Sequence, residues 1–295
     1  MASKQEKSAM NLILYKVSGD LSPLPITVTE IMKMSQKGDF SAMDLAKVIE
    51  RDQAMASKIL RISNSAYYGF VQKIKTIDHA IVCLGIESVK SLAFTIGSEN
   101  FLQKELGNYG LERGALFKHS IAAAVVGKMI ATKTDACDPD EAYMMGLLHD
   151  IGKLMIDQYA SEEFAEVTQL YNRGEVKFYR AEKEILGYDH AQLGAEVGRR
   201  WNFPDALCRA IECHHSPIKA GGDSRSVYVI HFANGIVNTM DIGSATVSKA
   251  NLKRELGGVF ELSNLSKIGL KQNQIMDIRN ASIPKIKELF SELRL

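Results

Sequence analysis

The stretch GLLHDIGKL, residues 146–154, places a histidine, an aspartate and a lysine directly after an apolar run. Upstream of it, Asp138, Pro139 and Glu141 have the arrangement of a helix start: a capping side chain, a proline in the first turn and a capping-box acid. We therefore predict a helix that begins at Asp138 and runs into residues 146–154.

The same helical periodicity extends in both directions from this stretch. Apolar residues recur at intervals of three and four, alternation with period two is nearly absent, and only 6 prolines occur in 295 residues. Two further helix starts are marked by capping boxes, Ser41 with Asp44 and Asp189 with Gln192. The predicted fold class is all-α.

Histidines are concentrated in the middle of the chain. Five of the 7 histidines fall there: His119, His149, His190, His214 and His215. A single inward-facing histidine is usually a hydrogen-bonded core residue, so His119 alone has that alternative explanation. Together with Asp150, however, the five suit iron, manganese, zinc or nickel, because these metals take imidazole nitrogen with carboxylate. The histidines His79 and His231 are predicted to be surface or packing residues.

A bound divalent cation lowers the pKa of its water to about 7, which makes hydrolysis of a phosphate ester the natural use of such a site. Lys153 lies one turn after His149, where it can steady a phosphate oxygen or pair with a carboxylate. If the site is enzymatic, Asp150 and Lys153 are the predicted catalytic residues.

The spread of these residues resembles the HD superfamily of metal-dependent phosphohydrolases, whose nearest catalytic branch is the HD-GYP phosphodiesterases. Upstream, residues 21–70 (LSPLPITVTEIMKMSQKGDFSAMDLAKVIERDQAMASKILRISNSAYYGF), followed by the run IKTIDHAIVCLGIESVKSLAF, resemble the N-terminal half of the HDOD family. The resemblance covers Leu21 to about Asn238. It implies a multi-helical HD core with an N-terminal helical HDOD subdomain and a short C-terminal helical region.

The resemblance also implies two groups of metal ligands. The first would be His119, His149, Asp150 and a later aspartate, and the second would share Asp150 and add His190, His214 and His215. The sequence departs from this pattern at the later aspartate, where Asn234 fits best and offers a neutral, weaker ligand. It departs again after His215, where Ser-Pro-Ile-Lys replaces the acidic residue and the Gly-Tyr-Pro loop of HD-GYP enzymes.

Composition narrows the possible partners and compartments. With 36 basic and 35 acidic side chains, the net charge gives no support for a nucleic-acid partner. The N-terminal half offers only scattered basic residues, which are weak evidence for nucleic-acid binding: Arg61, Lys73, Lys75 and Lys90. No apolar run approaches the roughly 20 residues of a membrane span. The 4 cysteines form no CxxC pair, which is typical of reduced cytoplasmic thiols.

We therefore predict a cytoplasmic HDOD-type signalling protein, non-catalytic, with an altered HD metal site that senses a ligand or contacts a signalling protein. The alternative is an active metal-dependent phosphohydrolase that acts on a nucleotide or another phosphoester. The predicted domains are 1–105, 106–240 with the histidine-rich pocket, and 241–295. Asn64, between two serines, has two explanations: a functional tripeptide, or an Asx turn that ends a helix.

Overall fold

A computed structural model of the chain describes residues 25–37, 40–160, 162–240, 242–243 and 249–295. Within these residues the regular structure is helical, and the only extended pairing is one isolated antiparallel bridge between Leu106 and Leu111. The predicted all-α fold class is confirmed. The described residues divide into two compact units, one of residues 25–101 with 281–295 and the other within residues 102–280.

The first unit contains the early helices and the end of the last one. Its helices are α1 (Ile26–Lys37), α2 (Ala42–Glu50), α3 (Gln53–Ser63), α4 (Ile77–Leu84) and α5 (Ile86–Leu102, whose final residue belongs to the other unit). Helix α2 begins with the predicted capping box, in which the Ser41 hydroxyl accepts from Asp44 N and the Asp44 carboxylate accepts from Ser41 N. The apolar faces of α2 and α3 bury Leu45, Ile49 and Ile59 completely.

A side chain ties the end of α3 to the segment before α4. The amide nitrogen of Asn64 donates to Leu60 O and Ile74 O, at 2.7 and 2.8 Å, and its amide oxygen accepts from Ile74 N at 2.8 Å. The Asn64 side-chain amide therefore pairs with the backbone of Ile74, ten residues later, as one peptide group pairs with another. This arrangement differs from the Asx turn that the sequence suggested.

The second unit contains the remaining helices. They are α6 (Ala115–Thr134), α7 (Pro139–Leu148), α8 (Gly152–Tyr159), α9 (Phe164–Asn172), α10 (Phe178–Leu186), α11 (His190–Arg200), α12 (Asp205–Cys213), α13 (Arg225–Asn238), α14 (Lys249–Glu255), α15 (Leu262–Leu265) and α16 (Gln272–Leu293, counted with the first unit from Ala281), with short 3-10 turns at Pro217–Ala220 and Ser266–Ile268.

Helix α6 is the core helix of this unit. It has the length and apolar composition of a membrane span, with a mean hydropathy of 1.2 over its most apolar window, but 72% of that window is buried inside the fold. Helices α4 and α5, which meet at an angle of 119°, are together also long and apolar enough for a membrane span. Burial of this kind is typical of the central helix of a globular domain.

The predicted helix from Asp138 does not continue through residues 146–154. It ends at Leu148, a turn covers His149 to Ile151, and α8 starts at Gly152. The domain boundaries expected at residues 105 and 240 stay predictions.

Candidate metal centre

Asp150 lies at the middle of the histidine cluster. Its Oδ1 is 3.2 Å from His190 Nε2 and 3.7 Å from His214 Nε2. Its Oδ2 is 3.4 Å from His149 Nε2 and 3.7 Å from His119 Nε2. The structure thus brings together side chains that are widely separated in the sequence, and each carboxylate oxygen faces a different pair of rings.

Each of these side chains is placed by the end or the interior of a helix. His119 lies on the buried face of α6, His149 and Asp150 lie in the turn after α7, His190 is the first residue of α11, and His214 and His215 follow the end of α12. Helix α11 starts with the predicted capping box of Asp189 and Gln192, which sets where His190 enters the pocket.

Two of the rings are oriented by backbone carbonyls. His149 Nδ1 lies 2.8 Å from Gly146 O and His214 Nδ1 lies 2.7 Å from Ile211 O. A neutral ring that donates through Nδ1 carries a lone pair on Nε2, and neither Nε2 has a hydrogen-bond partner. Both nitrogens are buried, so they are acceptors directed into the pocket with nothing to accept from.

His190 is oriented by a carboxylate that our sequence reasoning missed. Glu182, on α10, is completely buried, and its Oε2 lies 2.6 Å from His190 Nδ1 and 3.0 Å from His190 N. Its other oxygen, Oε1, accepts from the Tyr109 hydroxyl at 2.7 Å. Glu182 precedes His190 by eight residues in a separate helix, and no local sequence signal marks this pairing.

His215 is the most exposed histidine of the cluster. Its Nε2 lies 2.9 Å from His190 Nε2, and its ring stacks on Tyr179 at 4.5 Å with an interplanar angle of 5°. Burial lowers the pKa of His190, but Glu182 and Asp150 outweigh burial and raise it to about 9, whereas burial and the neighbouring histidines hold the pKa of His215 well below its usual value. Two ring nitrogens 2.9 Å apart need either a proton or a cation between them, because their lone pairs would otherwise repel each other, so a metal would compete with a proton here.

His119 is engaged differently from the other rings. Its Nδ1 lies 3.2 Å from Ile242 O and its Nε2 lies 3.1 Å from Asn234 Oδ1. Burial lowers the pKa of His119 to about 4, so the ring is neutral at pH 7. His149 and Lys153 also lower this pKa, and Asp150 offsets the decrease only in part. A neutral imidazole can donate to only one of these oxygens.

Lys153 is paired with the central carboxylate. Its Nζ lies 2.6 Å from Asp150 Oδ2, the oxygen that faces His119 and His149. Burial alone would raise the pKa of Asp150, but interactions with His149, Lys153 and His190 outweigh burial and hold that pKa well below its usual range. Asp150 is therefore ionised and offers its Oδ1, which has no hydrogen-bond partner, to the side of His190 and His214.

Two groups of ligand atoms each lie within 4.8 Å of one another: His190 with His214 and His215, and His119 with His149 and Asp150. The unpartnered buried atoms fit a divalent cation, since unsatisfied acceptors are costly unless something binds them. Nitrogen donors with one carboxylate suit zinc, iron, manganese or nickel. These residues can hold a metal, and the identity of the metal and the ligand roles of the individual residues stay predictions.

A cavity lies beside the histidine cluster at His215. This cavity of about 580 Å³ is lined by His215 and by side chains that include Tyr179, Arg180, Lys183 and Lys219. The other four histidines that we predicted as ligands are almost completely buried. Of the two histidines predicted to be surface or packing residues, His79 and His231 are both half-buried, and His231 Nδ1 lies 2.7 Å from His214 O.

Comparison with known proteins gives the family. The sequence profile of the HDOD domain matches residues 21–217, about two thirds of the chain, and the chain belongs to the HDOD family. A protein of Treponema pallidum (strain Nichols), described only as uncharacterized, is 24% identical over 229 residues, which cover 75% of this chain and 43% of that protein. Ribonuclease Y of Opitutus terrae is 27% identical over 152 residues, covering 52% of this chain and 22% of the ribonuclease. The chain thus spans less than half the length of these curated relatives.

Solved structures agree on the fold. An HDOD domain protein of unknown function from Geobacter sulfurreducens has a TM-score of 0.70 and 23% identity, covering 94% of this chain and 97% of its own. A candidate phosphohydrolase from Shewanella amazonensis SB2B has a TM-score of 0.74 and 22% identity, covering 95% and 98%. At these identities the likeness shows the fold alone.

Proposed function

We propose that this chain is a regulatory HDOD protein that binds one divalent transition metal and does not hydrolyse phosphoesters. The observation that carries the proposal is the 2.6 Å contact between Lys153 Nζ and Asp150 Oδ2. Asp150 is the carboxylate shared by the two ligand groups, and one of its oxygens is already paired with a fixed positive charge.

The two sides of the pocket are therefore unequal. On one side, His190, His214 and His215 together with Asp150 Oδ1 would supply four donor atoms. On the other side, Lys153 Nζ is paired with Asp150 Oδ2. There His119 also contacts the amide of Asn234, where the HD pattern has a carboxylate. We infer that a single cation binds on the side of His190.

A single metal would lack part of what a two-metal site supplies to phosphoester hydrolysis. A second cation would have Asp150 as its only carboxylate and would face the Lys153 ammonium. When bound, a single metal can supply a Lewis acid, but not the pair of cations that stabilises the attacking and leaving oxygens of an in-line displacement. We therefore expect phosphoester turnover near background.

A metal held in this way suits sensing. Its ligands come from the starts and ends of different helices, so its binding would couple the turn after α7 to the start of α11 and the end of α12. We propose that metal or ligand occupancy is transmitted to a signalling protein in the cytoplasm, with no role for nucleic acid or a membrane.

The alternative is an active metal-dependent phosphohydrolase. It is favoured by a specific observation: both ligand groups are present and the cavity beside His215 carries basic side chains, Arg180, Lys183 and Lys219. In that case Lys153 would leave Asp150 and contact a phosphate oxygen, and both groups would be filled.

Elemental analysis of the purified protein combined with an activity assay separates the two functions. We expect about one metal per chain, and no metal-dependent hydrolysis of bis(p-nitrophenyl) phosphate or cyclic dinucleotides. The His215→Ala variant should lose the metal, whereas His79→Ala, which lies in the other unit, should retain it. Metal-dependent turnover that His149→Ala and Asp150→Ala abolish would overturn the proposal in favour of the enzyme.

A further inference from the structure

Glu182 is an acid buried beside the proposed metal ligands but is not one of them. Its side chain is fully buried, and both carboxylate oxygens are used. Oε2 accepts from both the Nδ1 and the backbone nitrogen of His190, while Oε1 accepts from the Tyr109 hydroxyl. A carboxylate with three such contacts has one orientation available to it.

Tyr109 is itself held in place. It lies in the turn closed by the Leu106–Leu111 bridge, with its ring packed on Phe164 at a centroid distance of 4.8 Å. The neighbouring Asn108 contacts Asp157 through both its backbone nitrogen and its side-chain amide, each at 2.9 Å. The hydroxyl of Tyr109 is therefore a fixed donor for Glu182, and the pair acts as one rigid support.

We propose that Glu182, held by Tyr109, is the positioning residue of the metal site: it fixes the His190 ring and supplies the negative charge that Asn234 does not. This inference rests on the proposed function, since it assumes a cation on the side of His190. A ligating histidine whose other nitrogen donates to a carboxylate is fixed in tautomer and orientation and is a stronger base.

The charges of the pocket support this role. Without Glu182, the fixed charges would be Asp150 and Lys153, which cancel, so that a buried divalent cation would be uncompensated. With Glu182, and with His190 neutral as a metal ligand, the pocket has one excess negative charge. Glu182 thus compensates, from behind His190, for the carboxylate missing at Asn234, and it favours the side of His190 over the side of His119.

The test is titration of the metal-stripped full chain with Co²⁺, whose visible absorption also reports the coordination of the ion. We expect Glu182→Gln, which keeps the shape and removes the charge, to bind Co²⁺ about 10- to 100-fold more weakly, with altered absorption bands. Tyr109→Phe, which removes only the donor, should lose affinity by a smaller factor, about 3-fold. The matched control is Glu184→Gln, an exposed acid on the same helix, which should bind as the wild type does.

The outcomes separate this inference from the proposed function. If the wild type binds no Co²⁺, both are wrong. If the wild type binds one Co²⁺ and Glu182→Gln binds it equally well, or if Glu184→Gln loses as much affinity, only the role of Glu182 is wrong. Circular dichroism identifies a variant that fails to fold; should Glu182→Gln do so, Tyr109→Phe decides, and an unchanged affinity and spectrum there would overturn the inference.

Discussion

The backbone at Gly152 is pressed against the carbonyl of His190: a Cβ at Gly152 would lie 1.9 Å from His190 O and 2.7 Å from Gly194 N. This contact brings the start of α8 against the start of α11. Because Asp150 is only two residues before Gly152, the same contact sets Asp150 Oδ1 3.2 Å from His190 Nε2. Glycine at position 152 is therefore required for the close approach of Asp150 to His190.

Replacement of Gly152 should damage both stability and metal binding. Gly152→Ala forces two backbones apart, and we expect a loss of about 3 kcal/mol or more in the free energy of unfolding, at the upper end of overpacking costs. Urea denaturation measures it. The control is Gly107→Ala, where a Cβ would meet no atom within 4 Å and little change is expected. Equal stability of the two variants would contradict the close approach.

Restoring a carboxylate at Asn234 should change metal stoichiometry. Asn234→Asp places a negative charge 3.1 Å from His119 Nε2, in the position of the amide oxygen, and completes the first ligand group. We expect the metal content to rise from about one towards two per chain, as measured by elemental analysis. Asn172→Asp, at the exposed end of α9, serves as the control, and a similar rise there would show a general effect of charge.

Removal of the metal should lower stability. A ligand that binds only the folded state at 100 times its dissociation constant stabilises that state by about 2.7 kcal/mol. Chelation with EDTA should therefore lower the melting temperature of the wild type but not that of His214→Ala, which removes a ligand. A melting temperature that EDTA leaves unchanged in the metal-loaded wild type would contradict the proposed site.

The hydrogen bonds of the Asn64 side chain should stabilise the unit that contains α3 and α4. Asn64→Ala removes three hydrogen bonds, to Leu60 O and to both backbone atoms of Ile74, and should cost about 2 kcal/mol of unfolding free energy. Asn64→Asp should be at least as destabilising, because a carboxylate would face two carbonyl oxygens. An Asx turn would instead tolerate aspartate, so urea denaturation of the two variants separates the two explanations.

Several features of this protein were determined by the sequence alone. The all-α class followed from apolar spacing, and the starts of α2, α7 and α11 from their capping residues, because these signals depend on neighbours a few residues apart. The residues around His149 and Asp150 indicated the HD superfamily, and the upstream segment of residues 21–70 indicated the HDOD family, which the profile match over residues 21–217 confirms.

Other features were decided only by the tertiary structure. Three contacts depend on which atoms meet where helices cross: Glu182 with His190, Lys153 with Asp150 Oδ2, and Asn234 with His119. Helix crossings are set by packing between residues distant in the chain, such as Gly152 against His190, and no local periodicity records them. The sequence therefore determined which side chains are available to bind a metal, and the packing of the helices decided how charge and free ligand atoms are divided between the two sides of the pocket.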